Sequence, residues 1–390
     1  MATTETSPIP NEMAFPQAEY DRRIAAARAA MDRDRLDLLL VHSLPNICYL
    51  TGFQTPLADW YHCLILPRQG APVLQLCDTE LAQMHTAIGT MHTVLWEQMD
   101  AAADQLVALL GTLGAHGARI GIETRRPGLN PFTDHHLRGA LSQARFVDAT
   151  DLVLKVRAVK SPAEIACLRE AARLSSLGME AAIGAIRPGA TENDICAAAM
   201  HAIVRAGGEY FCIDPIVRAG PRSGVTHATA KRGAIRPGDA VLMEFGAVFQ
   251  RYCAPLLRTA VIGTPSPALR RLCDTSLRAM DLLYQHLRPG RPMGEVARAA
   301  TKALADIEPT VKMRGYFGYA VGIGFPPSWV ERSVEIAEGR QELLQPGMTF
   351  HTHRSMRVPG VMGVGFSETI VITDAGFEIL TSHPRRLAIL

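Results

Sequence analysis

The stretch Ile235-Arg236-Pro237-Gly238-Asp239-Ala240-Val241-Leu242-Met243-Glu244-Phe245-Gly246 sets a carboxylate inside an apolar run that leaves a Pro-Gly turn. The turn punctuates the chain, and the run behind it has the length of a buried strand. Alternation puts Leu242, Glu244 and Gly246 on one face and Val241, Met243 and Phe245 on the other. A buried acid either shifts its pKa upward or demands a partner. Glu244 therefore reads as a working carboxylate or as half of a structural ion pair, with Arg258 a candidate cation.

The same turn and strand return 109 residues later as Leu344-Gln345-Pro346-Gly347 leading into Phe350-His351-Thr352-His353. Another motif, Ile186-Arg187-Pro188-Gly189 with Asp194-Ile195, recurs 101 residues on as Leu287-Arg288-Pro289-Gly290 with Glu295-Val296. Pro-Gly before a strand is generic, but two motifs in one order at nearly one offset predict a duplicated helix-then-sheet unit with pseudo-two-fold symmetry. Under that symmetry Glu244 and His353 face each other. His351 and His353 share a strand face, a spacing that serves metal ligation, proton transfer or packing. His227, after the loop-like 219–224, reads as a surface histidine or an acid/base group. The glycines at 318, 322 and 324 lack the Lys-Ser/Thr of a phosphate loop and the strand-to-helix order of a dinucleotide site, so they read as a glycine-lined wall.

Upstream, a helical spacing over 18–33 and strand-like runs at 36–42, 63–67, 73–77 and 120–123 predict an α/β domain over 18–158, behind a disordered lead-in at 1–17. Ser161, Pro162 and Glu164 form a capping-box signature that opens an α+β domain over 159–390. The 390 residues carry 40 Lys+Arg against 38 Asp+Glu without a basic run, which argues against a nucleic-acid partner. No apolar stretch approaches the length of a membrane span, and the N-terminus lacks the pattern of a signal peptide. Eight dispersed cysteines without C-x-x-C spacing suit buried thiols in a reducing cytoplasm.

Several motifs fall in order: Gly220-x-x-x-Gly224-x-x-His227, Pro237-Gly238-Asp239-x-Val241-Leu242-x-Glu244-x-Gly246, Tyr252 with Arg258-Thr259, Gly318-x-x-x-Gly322, Pro346-Gly347-Met348-x-Phe350 and Ser367-Glu368-Thr369. With the helix from Ser161 they resemble the creatinase/aminopeptidase P superfamily, from about residue 20 to the end. The resemblance implies a creatinase-type N-terminal α/β domain and a C-terminal pita-bread fold. Metallopeptidases of that superfamily hold two metal ions with Asp, Asp, His, Glu and Glu. Those places fall here on Glu244, Pro255, Tyr319, His353 and Ser367, so the resemblance argues against a dinuclear centre and an Xaa-Pro peptidase. Creatinase keeps a histidine at the place of His227, but its acidic partners fall on Leu257 and His353.

The chain looks closest to the metal-free ectoine hydrolase branch, which has a Glu at Glu244, a Tyr at Tyr319, an aromatic-Pro-Pro-x-Trp-x-Glu segment like 325–331, and a Phe-His pair like Phe350-His351. It departs from that branch at His353 and Gly365. The expectation is a cofactor-free hydrolase of a non-peptide C–N bond in a small cyclic amidine or related zwitterion, cytoplasmic and homodimeric. Glu244 is expected as nucleophile or base and His227 as proton shuttle. Tyr319, Trp329, His351 and His353 are expected to line the pocket, and Arg258 or Arg332 to hold a substrate carboxylate. By the same likeness, Trp60 or His62 reaches the neighbouring subunit's site. Tyr319 and Trp329 read equally as core aromatics, and Glu368 equally as a strand-edge cap or a substrate contact. Alternatives are a mononuclear metal site at Glu244, His351 and His353, a lyase or cyclase, and a ligand-binding pseudoenzyme.

Overall fold

The computed structural model describes residues 11–87, 92–126 and 128–390, and the chain forms two units, Met1–Arg157 and Ala158–Leu390. In the first, short apolar runs alternate with helices: α1 (Gln17–Asp34), β1 (Leu38–Val41), α2 (Leu44–Thr51), β2 (Cys63–Pro67), β3 (Val73–Cys77), β4 (His92–Trp96), α3 (Met99–Thr112), β5 (Arg119–Ile122), α4 (Pro131–Ala140), β6 (Arg145–Asp148) and α5 (Thr150–Arg157). Their strands make one mixed sheet in the order β4-β3-β2-β1-β5-β6. Of the expected disordered lead-in, residues 1–10 lie outside the described residues. Phe15 departs from that expectation: it is buried, packs edge-on against Tyr20 and lies under the Arg23 guanidinium.

The second unit opens as the capping box requires. Ser161 Oγ accepts from Glu164 N at 3.3 Å, the Glu164 carboxylate accepts from Ser161 N at 2.9 Å, and Pro162 leads α6 (Pro162–Gly184). There follow α7 (Glu192–Arg205), β7 (Ile216–Ala219), β8 (Ala240–Phe249), β9 (Tyr252–Val261), α8 (Pro267–His286), α9 (Met293–Thr301), β10 (Tyr316–Phe325), β11 (Ser328–Ala337), β12 (Thr349–Val358), β13 (Met362–Thr373), β14 (Gly376–Ile379) and β15 (Ala388–Ile389). The main sheet path is β14-β13-β12-β10-β9-β8-β7, with β11 on β10 and β15 on β9.

The duplication read from the sequence is written into the backbone hydrogen bonds. Gly189 N donates to Ile235 O and Ile235 N to Ala190 O; in the second half Gly290 N donates to Leu344 O and Leu344 N to Arg291 O. Gly238 N donates to Ile262 O and Gly347 N to Ile372 O, each at 2.8 Å. All four turn glycines have φ between 80° and 87°, a backbone that other residues adopt only under strain. Each half buries its own sheet face: α6 and α7 put Leu174, Met179, Ile195 and Ile203 against Val241, Met243 and Phe245, while α8 and α9 put Met280, Leu283 and Val296 against Phe350, Ile370 and Ile372.

The β8–β9 hairpin turns on Gln250 and Arg251, both at positive φ (50° and 64°), a two-residue loop of the kind that suits strand twist. The register then pairs Glu244 with Leu257 and Met243 with Arg258. Paired residues share a sheet face, so Arg258 lies on the face opposite Glu244. This corrects both expectations for Arg258, which is neither the partner of Glu244 nor a free ligand for substrate. It is fully buried, and its five N–H groups go to Pro384 O, Leu257 O, Ser367 O, His383 O and the Glu368 carboxylate at 2.5–3.0 Å. Glu368 also accepts from Thr381. Beside this staple Thr259 Oγ1 donates to Gly365 O, Gly365 N returns a bond to it, and Thr369 Oγ1 donates to Pro255 O.

Removing one partner of a buried ion pair strands the other, at a cost of about 3–5 kcal/mol. Arg258→Met should therefore destabilise the C-terminal unit by about that amount in urea unfolding. A loss below about 1 kcal/mol would contradict the staple's role.

Candidate active site

Glu244 stands on the inner face of β8, in a strand whose other interior residues are buried. Its side chain keeps 19% exposure, and no described residue donates a hydrogen bond to it. The nearest charge is Arg218 of β7, whose Nη2 lies 3.9 Å from Glu244 Oε2. Burial pushes the Glu244 carboxyl up, and Arg218 opposes the shift. Arg218 escaped the sequence reading, although a lone charge inside Ile216-Val217-Arg218-Ala219 is the same signal that singled out Glu244. The register pairs Ile216 with Glu244 and Arg218 with Leu242, which puts Arg218 on the Glu244 face.

The second half of the sheet faces this carboxylate with aromatic rings. Tyr319 on β10 is buried and paired in register with His351 on β12. Trp329 Nε1 donates to Tyr319 Oη at 2.8 Å, and Tyr319 Oη meets His351 Nδ1 at 2.7 Å. An indole N–H only donates, so the arrangement that uses the hydroxyl proton sends it to His351 Nδ1. That assignment leaves His351 with its proton on Nε2, which is buried and has no partner; His353 Nε2 is likewise orphaned. The two imidazoles are 5.5 Å apart, and His353 stands 5.6 Å from the Tyr319 ring. Burial holds both far below the ordinary histidine range, His353 down to about 3, so both are neutral at pH 7. Burial and the nearby Glu244 charge raise the Tyr319 phenol, keeping it protonated.

Trp329 is thus both core aromatic and hydrogen-bond donor to the site. Glu331, two residues on, is committed to a fully buried ion pair with Lys160 Nζ at 2.9 Å. A Cβ at Gly322 would come within 2.4 Å of that carboxylate, so this glycine of the expected wall makes room for the ion pair.

The remaining expected residues divide. His227 is exposed, with its backbone in the left-handed region (φ 55°), and no hydrogen bond joins it to Glu244 among the described residues. Partial burial and the Arg218, Arg314 and Arg357 guanidiniums lower its pKa. Arg332 is exposed, at φ 60°, where β10 and β11 fall out of register, which corrects its expected place as a carboxylate ligand. His62 is buried in the N-terminal unit, its Nε2 3.3 Å from Leu57 O and its ring edge-on to Phe53, so it is a core histidine and not a substrate contact. Trp60 is half-buried against Trp96.

The five places aligned with metal ligands offer one carboxylate, Glu244. Pro255 pairs in register with Gly246 and Ser367 with His353. Proline brings no side-chain donor, the Tyr319 hydroxyl is engaged, and Ser367 Oγ is a neutral orphan. No group of three or more His, Cys, Asp or Glu among the described residues can hold a metal ion. The donor set does not fit a dinuclear centre of hard cations, which needs several oxygen ligands.

The buried imidazoles make stability depend on pH. A histidine whose folded pKa lies below the unfolded value stabilises fully above the unfolded value and loses that contribution as pH falls. With His353 near 3 against an ordinary 6.5, wild type should lose about 2 kcal/mol more than His353→Gln between pH 8 and pH 5 in denaturant titrations. Equal losses would mean that His353 is protonated in the fold.

Residues 166–374, more than half the chain, match metallopeptidase family M24, and residues 23–159 match the creatinase/prolidase N-terminal domain. The chain is 29% identical to the uncharacterized hydrolase/peptidase y4tL of Sinorhizobium fredii, over 98% of this chain and 99% of that one. It is 28% identical to the ectoine hydrolase of Halomonas elongata, over 96% of this chain and 98% of that one. Among solved structures, the dipeptidase PepE of Mycobacterium ulcerans superposes with a TM-score of 0.81 at 26% identity, over 96% of this chain and 99% of that one. No helix among the described residues is long and apolar enough to cross a membrane. With its two matched domains and its duplicated C-terminal sheet, the chain belongs to metallopeptidase family M24, a family of hydrolases in the creatinase/aminopeptidase P superfamily, and carries the pita-bread fold behind a creatinase-type domain.

Proposed function

We propose that this protein is a metal-independent hydrolase of a non-peptide C–N bond in a small cyclic amidine, ectoine being the first candidate. The carrying observation is Glu244: a carboxylate four-fifths buried, without a hydrogen-bond donor, facing neutral rings across the sheet. A cationic amidinium suits that place, because its N–H groups supply the hydrogen bonds that Glu244 lacks and the imidazoles opposite are neutral. Its carbon is already electrophilic, so the substrate brings the positive charge that a metal would lend to a peptide carbonyl. The likeness to the Halomonas elongata ectoine hydrolase supports the same reading.

In the proposed reaction Glu244 takes a proton from water as oxygen bonds to the amidinium carbon. The C–N bond of the tetrahedral adduct then breaks, with the proton delivered to the departing nitrogen directly or through neutral His227. One water is consumed, an amide and an ammonium appear in one ring-opened molecule, and net charge is conserved. The unpartnered His351 Nε2 proton steadies the adduct, and Tyr319 holds the ring in that tautomer. The enzyme acts as a cytoplasmic homodimer on this small molecule, without nucleic-acid or membrane partners.

Purified protein incubated with ectoine, creatine and an Xaa-Pro dipeptide, each followed by proton NMR, tests the proposal. Ectoine should open to its N-acetyl diamino acid, with oxygen from labelled water in the new amide, and Glu244→Gln should lower turnover at least about 10³-fold. Consumption of the dipeptide alone would make the chain a peptidase, and ectoine loss without label would make it a lyase or cyclase.

A further inference from the structure

Arg218 has one committed bond, from Nη1 to Val225 O at 2.5 Å. Its side chain is 4% exposed, its Nε is a buried orphan, and its Nη2 is too far from Glu244 for a hydrogen bond. A guanidinium carries five donors and is costly to bury without an anion close enough to bond. The other neighbours supply none. Arg222 is taken by Glu192 at 3.1 Å. Half-buried Arg357 and exposed Arg314 have no carboxylate partner among the described residues, and they act on His227 and on each other as like charges. Arg218 therefore has Arg357 and Arg222 as like charges around it and Glu244 as its nearest anion, too far to bond.

We infer that Arg218, with Arg357 near it, is a subsite for a substrate carboxylate, so that the substrate is a zwitterion whose cationic end meets Glu244 and whose anionic end meets Arg218. This rests on the proposed role of Glu244 for the cationic end. The anion replaces the missing partner of Nε and relieves the repulsion among the arginines. Because the two anchors are 3.9 Å apart, the ligand that spans them carries its carboxylate close to its charged nitrogen. The arrangement selects amino-acid-derived amidines over bare amidines, with Arg218 in the place expected of Arg258 or Arg332.

Ectoine and its analogue without the carboxylate, 2-methyl-1,4,5,6-tetrahydropyrimidine, make the test. Arg218→Met should cut kcat/KM for ectoine at least about 100-fold, mainly through KM, and Arg218→Lys should recover part of it. Loss of Arg218 also makes Glu244 harder to ionise, which slows both compounds alike, so the readout is the ratio between them. The analogue should change less than about threefold beyond that common factor. An equal loss for both compounds would overturn the subsite.

A second measurement does not depend on turnover: sodium acetate titrated into ¹⁵N-labelled protein at constant ionic strength. A saturable shift of the Arg218 Nε–H signal, absent in Arg218→Lys, upholds the anion subsite even where neither amidine is consumed, in which case the proposed function alone fails. No shift, together with turnover that ignores the carboxylate, sinks the inference.

Discussion

The two halves of the C-terminal unit meet through Arg258, and the site exists because they do. Its guanidinium gives all five donors, most of them to the β13 side and the chain end: the Ser367, His383 and Pro384 carbonyls and the Glu368 carboxylate. Such a buried pair adds little net stability over an apolar alternative, but it is intolerant of losing one member. Its contribution is register: β9 is held against β13 at one position. That leaves Glu244 on one half and the His351–His353 wall on the other.

Duplication supplied two equivalent strands, and divergence made them unlike. Glu244 and His353 occupy corresponding places after corresponding Pro-Gly turns, and Leu257 and Ser367 are their register partners. One strand brings a negative charge; the other brings imidazoles that burial keeps neutral. A dinuclear centre would need oxygen ligands from both strands. Here the second strand offers orphaned nitrogens and a bridge of hydrogen bonds through Tyr319 to Trp329. The result is a single carboxylate, with Arg218 at its side, opposite a wall of neutral rings.

Much of this was legible in the sequence because it rests on local rules. The capping box at Ser161 and the Pro-Gly turns before β8 and β12 are short-range signals, and alternation alone placed His351 with His353. Arg258 was misread because its face depends on the hairpin register, which the positive-φ pair Gln250-Arg251 sets and which residue spacing from Glu244 does not reveal. Arg218 carried a readable signal, a charge in an apolar strand, but its distance from Glu244 comes from the pairing of β7 with β8. His62 and Arg332 had no local signal at all. A contact with Phe53 covers the first, and an irregular stretch of β10–β11 pairing turns out the second.

The central claim is that one carboxylate and a neutral polar wall do the work that metal ions do elsewhere in this family. Elemental analysis of chelator-treated protein, run on the same sample whose ectoine turnover is measured, tests it most directly. The account predicts full turnover with iron, zinc, manganese and cobalt together far below one atom per chain. Turnover that vanishes with chelation and returns in proportion to one bound metal ion per chain would contradict it.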